Sequence, residues 1–144
     1  MGKFPMFVEL AGRQVLIFGG GTVACRRASS LLPFGPELRV IAPAVVPELE
    51  ALGVPISRRS YVPGELERPF LVLAATDDPA VNAAIAAEAR AKGAWANNAS
   101  DHRDCDFFFP ALALSPELTV GITGTGENHG RVKAAAEKIR ELVL

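Results

Sequence analysis

Val15-Leu16-Ile17-Phe18-Gly19-Gly20-Gly21-Thr22-Val23-Ala24 joins an unbroken apolar run to a glycine turn and then to a segment with helical apolar spacing. Four consecutive apolar residues predict a strand buried on both faces, the kind that parallel sheets use. The turn reads G-x-G-x-x-A, as in a dinucleotide-binding βαβ unit. Its logic is close approach. Gly19 turns the chain tightly, Gly21 has no Cβ to hold a pyrophosphate away, and Ala24 lets the helix lie near the sheet. Thr22 and Val23 open that helix, where unpaired N–H groups and the helix dipole favour a phosphate. Such turns also occur without a ligand, so the surroundings decide the reading.

The alternation continues along the chain. Ala24, Ala28, Leu31 and Leu32 share one helical face, and Pro33 and Pro36 end it. Strands are predicted over 38–42, 56–61, 70–75 and 94–98, with a short helix over 47–52 and an alanine-rich one over 79–92 that carries Val81, Ile85 and Ala89 inward. This order predicts an α/β protein of Rossmann-like type, a doubly wound parallel sheet. After residue 100 the period changes. β-type runs over 107–114 and 118–123 flank Ser115-Pro116-Glu117, which predicts a hairpin, and a last helix begins near Asn128 with Val132, Ala135, Ala136, Ile139 and Val143 on one face. The expected organisation is a dinucleotide-binding domain over 1–112 and a small C-terminal hairpin-plus-helix extension over 113–144.

Composition narrows the function. The 144 residues are 49% hydrophobic and 22% charged, enough for a sizeable core. A net charge of −1 gives no general attraction to nucleic acid or an anionic membrane, so any anion site must be local. Cys25 and Cys105 are far apart in sequence, which argues against a disulfide framework or structural zinc site and for a cytoplasmic setting. The opening Met1-Gly2-Lys3-Phe4-Pro5-Met6-Phe7 lacks a leader's apolar stretch, and no apolar run approaches a membrane span.

Five blocks, in order, carry a family resemblance. Phe4-Pro5-Met6-Phe7, the glycine turn with Arg26-Arg27-Ala28, Ala74-Ala75-Thr76-Asp77-Asp78-Pro79-Ala80-Val81-Asn82, Asn97, and Phe107-Phe108-Phe109-Pro110-Ala111 resemble the precorrin-2 dehydrogenase family, the NAD-dependent part of siroheme synthases. The resemblance implies oxidation of precorrin-2 to sirohydrochlorin with NAD⁺ as hydride acceptor, and in some members insertion of iron or cobalt at the same site. It also implies that Thr76 and Asp77 lie near the nicotinamide. Family members commonly continue further with a helical segment that completes a dimer. A homodimer is expected from the residues themselves, because Leu142-Val143-Leu144 extend an apolar face beyond what the small extension can bury.

The second strand ends Val40-Ile41-Ala42-Pro43, without the acidic residue that ordinarily binds the adenosine ribose. Adenosine would rest on the backbone of Pro43 and Ala44. The resembled family commonly has a proline here, whereas the leading rival, a ligand-gating regulatory domain that senses nucleotides, usually carries Asp or Glu. NAD is preferred to NADP, because Arg39, Arg58 and Arg59 lie away from the usual 2′-phosphate position.

A tetrapyrrole with many carboxylates needs cations and hydrogen-bond donors at its rim. The candidates for substrate binding are Asn97, Arg103, Asn128 and Arg131, each with a bland alternative: Asn128 as a helix cap, the arginines as solvated surface. Thr76 or Asp77 would likewise serve as a cap for the helix at Pro79. Dehydrogenation also needs a base. The family has an Asp three residues after the asparagine that matches Asn97. Ser100 stands there, followed by Asp101, and a neutral serine is a poor base unless activated. The candidate catalytic residues are Asp101, Ser100 and His129, and a tetrapyrrole-binding protein without dehydrogenase activity remains the alternative. Asp101-His102-Arg103-Asp104-Cys105-Asp106 offers metal-ligand types without a ligand spacing, so it reads as a polar loop rather than a metal site.

Overall fold

Gln14–Phe18 forms β1, the middle strand of a five-stranded parallel sheet in the computed structural model, which describes residues 2–144. Around it run α1 (Thr22–Leu31), β2 (Glu37–Ile41), α2 (Pro47–Glu50), β3 (Ile56–Ser57), β4 (Leu71–Ala74), α3 (Pro79–Ala91) and β5 (Trp95–Asn98). The order β3-β2-β1-β4-β5 makes β1 the point where the winding reverses, and ligands of such sheets lie outside the carboxyl ends at that point. The register holds those ends level: Phe18 faces Ile41 on one side and Ala74 on the other, and Ala74 faces Asn98. The loops that begin at Gly19, Ala42, Ala75 and Ala99 therefore leave along one edge.

The core follows from the apolar strands and the small residues of the helices. Val15, Ile17, Phe18, Val40 and Val72 are buried in the sheet, with Ala24 and Ala28 of α1 and Ile85, Ala86 and Ala89 of α3 packed on it. Small side chains let each helix axis approach closely. Tyr61 meets Phe18 edge to face at 5.4 Å.

Two strands are shorter than their apolar runs suggest. The run over 56–61 pairs with β2 only at Ile56 and Ser57, because the chain turns at once, with Arg59 N donating to Ser57 O. Arg58 and Arg59 then reach Glu50 and Glu65, while Tyr61 leaves the sheet to pack on Phe18. The run over 107–114 becomes a strand only at Ala111, since Pro110 has no N–H to donate to a ladder. Helix α1 stops at Leu31 and tightens into a 3₁₀ turn, Leu32–Phe34, that accommodates Pro33 and ends on left-handed Gly35.

Glu9–Phe107 makes one compact unit, and residues 2–8 group with Phe108–Leu144 in a second, although they precede β1 in sequence. In the second unit β6 (Ala111–Leu114) and β7 (Thr119–Ile122) form an antiparallel hairpin closed by Ser115 N donating to Leu118 O at 2.9 Å. Helix α4 (His129–Val143) is joined to this hairpin by Arg140 Nε, which donates to Leu112 O at 2.9 Å, and it buries Ala136. Lys3 ties the N-terminal segment in place, donating to Gly124 O and lying over the Phe108 ring. Among the described residues no helix is long and apolar enough to cross a membrane.

Candidate functional site

The three glycines after β1 differ in what surrounds them. Gly19 has φ +129°, and a Cβ there would fall 2.1 Å from Ala75 O. One on Gly20 would fall 1.9 Å from Ala44 O, and Val46 N donates to Gly20 O at 2.8 Å. These two glycines let the turn wedge between the loops after β2 and β4. At Gly21 an added Cβ would meet nothing within 4 Å. Gly21 is the N-cap of α1 in extended conformation, with no side chain to bond the first N–H groups of the helix. That is a cradle fitted to a pyrophosphate: open space, unpaired donors and the positive end of a dipole. Ala24, fully buried one turn on, presses the helix to the sheet. Gly20 has no role in the sequence motif, whose second position accepts any residue; the available signal is a glycine at that free position, between the two that the motif requires. Gly20→Ala is expected to destabilise the protein by about 1–3 kcal/mol, since backbone must move to admit the methyl. Urea unfolding measures this.

Pro43 and Ala44 are exposed just beyond β2, offering backbone and no carboxylate. The neighbouring cations have protein partners: Arg39 donates to Ser57 Oγ, Arg58 pairs with Glu50 and Arg59 with Glu65.

The loop after β4 is organised by Asn82. Thr76 N and Thr76 Oγ1 donate to Asn82 Oδ1 at 2.9 and 2.7 Å, and Asn82 Nδ2 donates to Thr76 O and to Ser100 Oγ. Asp78, rather than Thr76 or Asp77, caps α3 by accepting from Ala80 N and Val81 N. Proline at the first helical position fits, because its missing N–H needs no partner. Asp77 is left exposed at the strand ends.

After β5 an open depression of about 520 Å³ lies between the start of α3, at Pro79 and Ala83, and the loop from Ser100 to Asp104. Asp101 caps the 3₁₀ turn His102–Asp104 by accepting from Arg103 N, and it also takes the Arg103 guanidinium on both oxygens at 3.0 and 3.2 Å. These bonds hold its carboxyl below the ordinary aspartate range. Asn97 is buried, with Nδ2 donating to Phe107 O at 2.9 Å. The remaining acids of the loop are latched to the sheet. Arg90 of α3 pairs with Asp104 and Asp106, Asn98 Nδ2 donates to Asp104, and Ala96 N donates to Asp106. Cys105 packs beneath against Asn98, and burial pushes its thiol upward.

The structure thus brings Gly21, Pro43, Ala44, Thr76, Asp77, Ser100, Asp101 and Arg103 to one edge of the first unit. Asn128, His129 and Arg131 belong to the second. There Asn128 caps α4, accepting from Arg131 N at 3.0 Å, and the side chains of His129 and Arg131 are exposed.

The model of a family described as "Putative NAD(P)-binding" matches residues 6–111. The siroheme synthase of Ectopseudomonas mendocina is 41% identical over 85% of this chain and 27% of its own length. Siroheme synthase 1 of Serratia proteamaculans is 34% identical over 99% of this chain and 31% of its own. Among solved structures, the precorrin-2 dehydrogenase SirC superimposes with a TM-score of 0.79 and 29% identity, over 97% of this chain and 71% of SirC.

The chain belongs to the precorrin-2 dehydrogenase family. Its first unit is accordingly a nicotinamide-dinucleotide-binding domain of Rossmann-like fold. The chain spans under a third of the siroheme synthases it matches. Within the family frame the loop after β5 stands out, because it has Ser100 where the resemblance leads one to expect a carboxylate, and its next carboxylate, Asp101, is tied to an arginine.

Proposed function

We propose that this chain is a precorrin-2 dehydrogenase, oxidising precorrin-2 to sirohydrochlorin with NAD⁺ rather than NADP⁺. The observation that carries the reading is the open, uncapped Gly21 turn at the head of α1, level with the polar loops after β4 and β5. The N–H groups of Thr22 and Val23 hold the pyrophosphate with Gly21, and the backbone at Pro43 and Ala44 supports adenosine. Thr76 and Asp77 border the nicotinamide. The dinucleotide supplies the hydride acceptor, so the protein has to orient the macrocycle and take the proton lost with the hydride.

Arg103, at the rim of the depression beside Asp101, is suited to a carboxylate of the substrate. Asn97 contributes by holding the loop through Phe107. Asp101 is the base of this reading. A substrate carboxylate that draws Arg103 away releases Asp101 and raises its proton affinity where the proton is to be taken up. Anaerobic incubation with precorrin-2 and NAD⁺, following NADH and the macrocycle spectrum, tests the reading. Tight binding of both ligands without NADH would instead favour a tetrapyrrole-binding protein. Adding ferrous iron to sirohydrochlorin tests chelation in the same preparation.

The protein is further proposed to act as a cytoplasmic homodimer. Leu142 and Leu144 are 84% and 90% exposed at the end of α4, and Leu118 is exposed in the hairpin of the same unit. Apolar surface of this kind commonly marks an interface, most often two-fold. Light scattering at micromolar concentration is expected to give twice the chain mass, and Leu142→Glu with Leu144→Glu to reduce it to one; a wild-type monomer contradicts the assignment.

A further inference from the structure

We infer that Asn82 is a positioning residue that ties the nicotinamide seat at Thr76 to the substrate seat at Ser100, so that the two are held at fixed separation. The inference rests on the dehydrogenase reading above for what the seats bind. Asn82 is completely buried on the inward face of α3, among Ile85, Ala86 and Ala89, where an apolar side chain would be the ordinary choice. Its amide is used in full: two bonds accepted at Oδ1 and two donated from Nδ2, the complete capacity of an asparagine side chain.

Three of those bonds go to Thr76 and fix the turn after β4 at its N–H, its carbonyl and its hydroxyl. The fourth, 2.6 Å long, goes to Ser100 Oγ, which is beyond the next strand and needs no such bond for helix packing. Ser100 N in turn donates to Asn98 Oδ1 at 2.9 Å, so the residue is held at both backbone and side chain. With Ser100 Oγ accepting from Asn82, the hydroxyl keeps its own proton for a group in the depression. One side chain therefore sets the distance between the ring that receives a hydride and the macrocycle that gives it. Hydride transfer requires reacting atoms near 3–3.5 Å, and misplacement by about 1 Å costs on the order of a hundredfold in rate.

The test is a double-mutant cycle on the full chain. Asn82→Ala is expected to retain a native circular dichroism spectrum, weaken NAD⁺ binding severalfold by calorimetry, and lower kcat by about ten- to a hundredfold with a smaller change in the KM for precorrin-2. Ser100→Ala alone lowers kcat, and the double variant is no slower than Asn82→Ala, because the second change removes a group already set adrift. Losses that multiply, a wild-type kcat in Ser100→Ala, or an Asn82→Ala protein altered only in its melting temperature would overturn the inference. If Asn82→Ala does not fold, Asn82→Leu takes its place in the cycle, close to asparagine in size but with no donor or acceptor for Thr76 or Ser100. A wild-type protein that makes no NADH defeats the dehydrogenase reading. The inference is then judged on calorimetry alone, weakened NAD⁺ binding in Asn82→Ala upholding it and unchanged affinity overturning it.

Discussion

Gly21→Asp is expected to abolish NAD⁺ binding while leaving the fold as stable as the wild type. A Cβ at Gly21 meets no atom within 4 Å, and the residue already has an extended backbone that any amino acid adopts, so the substitution strains nothing. Aspartate is among the best N-cap residues, and α1 has no side-chain cap, so the new carboxylate would bond the first N–H groups of the helix itself. It would thereby occupy the donors that a pyrophosphate needs and oppose the phosphates with its own charge. Affinity should fall by about a hundredfold or more, since two desolvated hydrogen bonds to charged oxygens are each worth about 1.5–3 kcal/mol. Calorimetry reads the affinity and thermal melting the stability. A variant that binds NAD⁺ as before removes the turn from the cofactor site. A wild type that prefers NADP⁺ would instead place a 2′-phosphate site beyond the end of β2.

The sheet was legible because its physics is local. Buried parallel strands are continuous apolar runs, and Val15 to Phe18 and Leu71 to Ala74 have no other reading compatible with the glycine turn and the proline-started helix beside them. Strand ends were less legible, since an apolar run such as 56–61 does not record that its second half leaves the ladder to pack Tyr61 on Phe18. At the site, glycine spacing and the polar segment after β4 marked the right edge of the sheet. Partners were not legible. That Asp78 rather than Thr76 or Asp77 caps α3, and that Asp101 is tied to Arg103, turn on which of several adjacent polar residues closes a local bond, while the span of Asn82 over two loops depends on a contact 18 residues away, which no periodicity encodes. Asn82 had one available signal: an amide at an inward position of an otherwise alanine and isoleucine helix face must find partners there.

Removing the Asp101 carboxylate is expected to lower turnover by about 10²–10⁴-fold while NAD⁺ binding stays intact, the usual effect of losing a general base. Asp101→Asn keeps the shape and the acceptor that caps the His102–Asp104 turn, so the loop should hold its fold. The pairing with Arg103 gives this base a particular pH signature. Because the guanidinium holds the carboxyl below its ordinary range, Asp101 stays ionised as pH falls and protonates only well into acid. The acid limb of kcat/KM therefore lies lower than an unpaired aspartate would give, and Arg103→Ala should move it up toward the ordinary value while raising the KM for the substrate. Ser100→Asp supplies the complementary measurement. Asn82 Nδ2 already donates to the side chain at this position, so a carboxylate there inherits a hydrogen bond that orients it. An inactive wild type rescued by Ser100→Asp would mean that the chain binds its tetrapyrrole without oxidising it, and an active wild type indifferent to Asp101→Asn would shift the search to His129, through His129→Ala. A rate that falls with Asp101→Asn, and an acid limb that rises with Arg103→Ala, assign the proton to Asp101 and explain why the arginine beside it must let go before the hydride leaves.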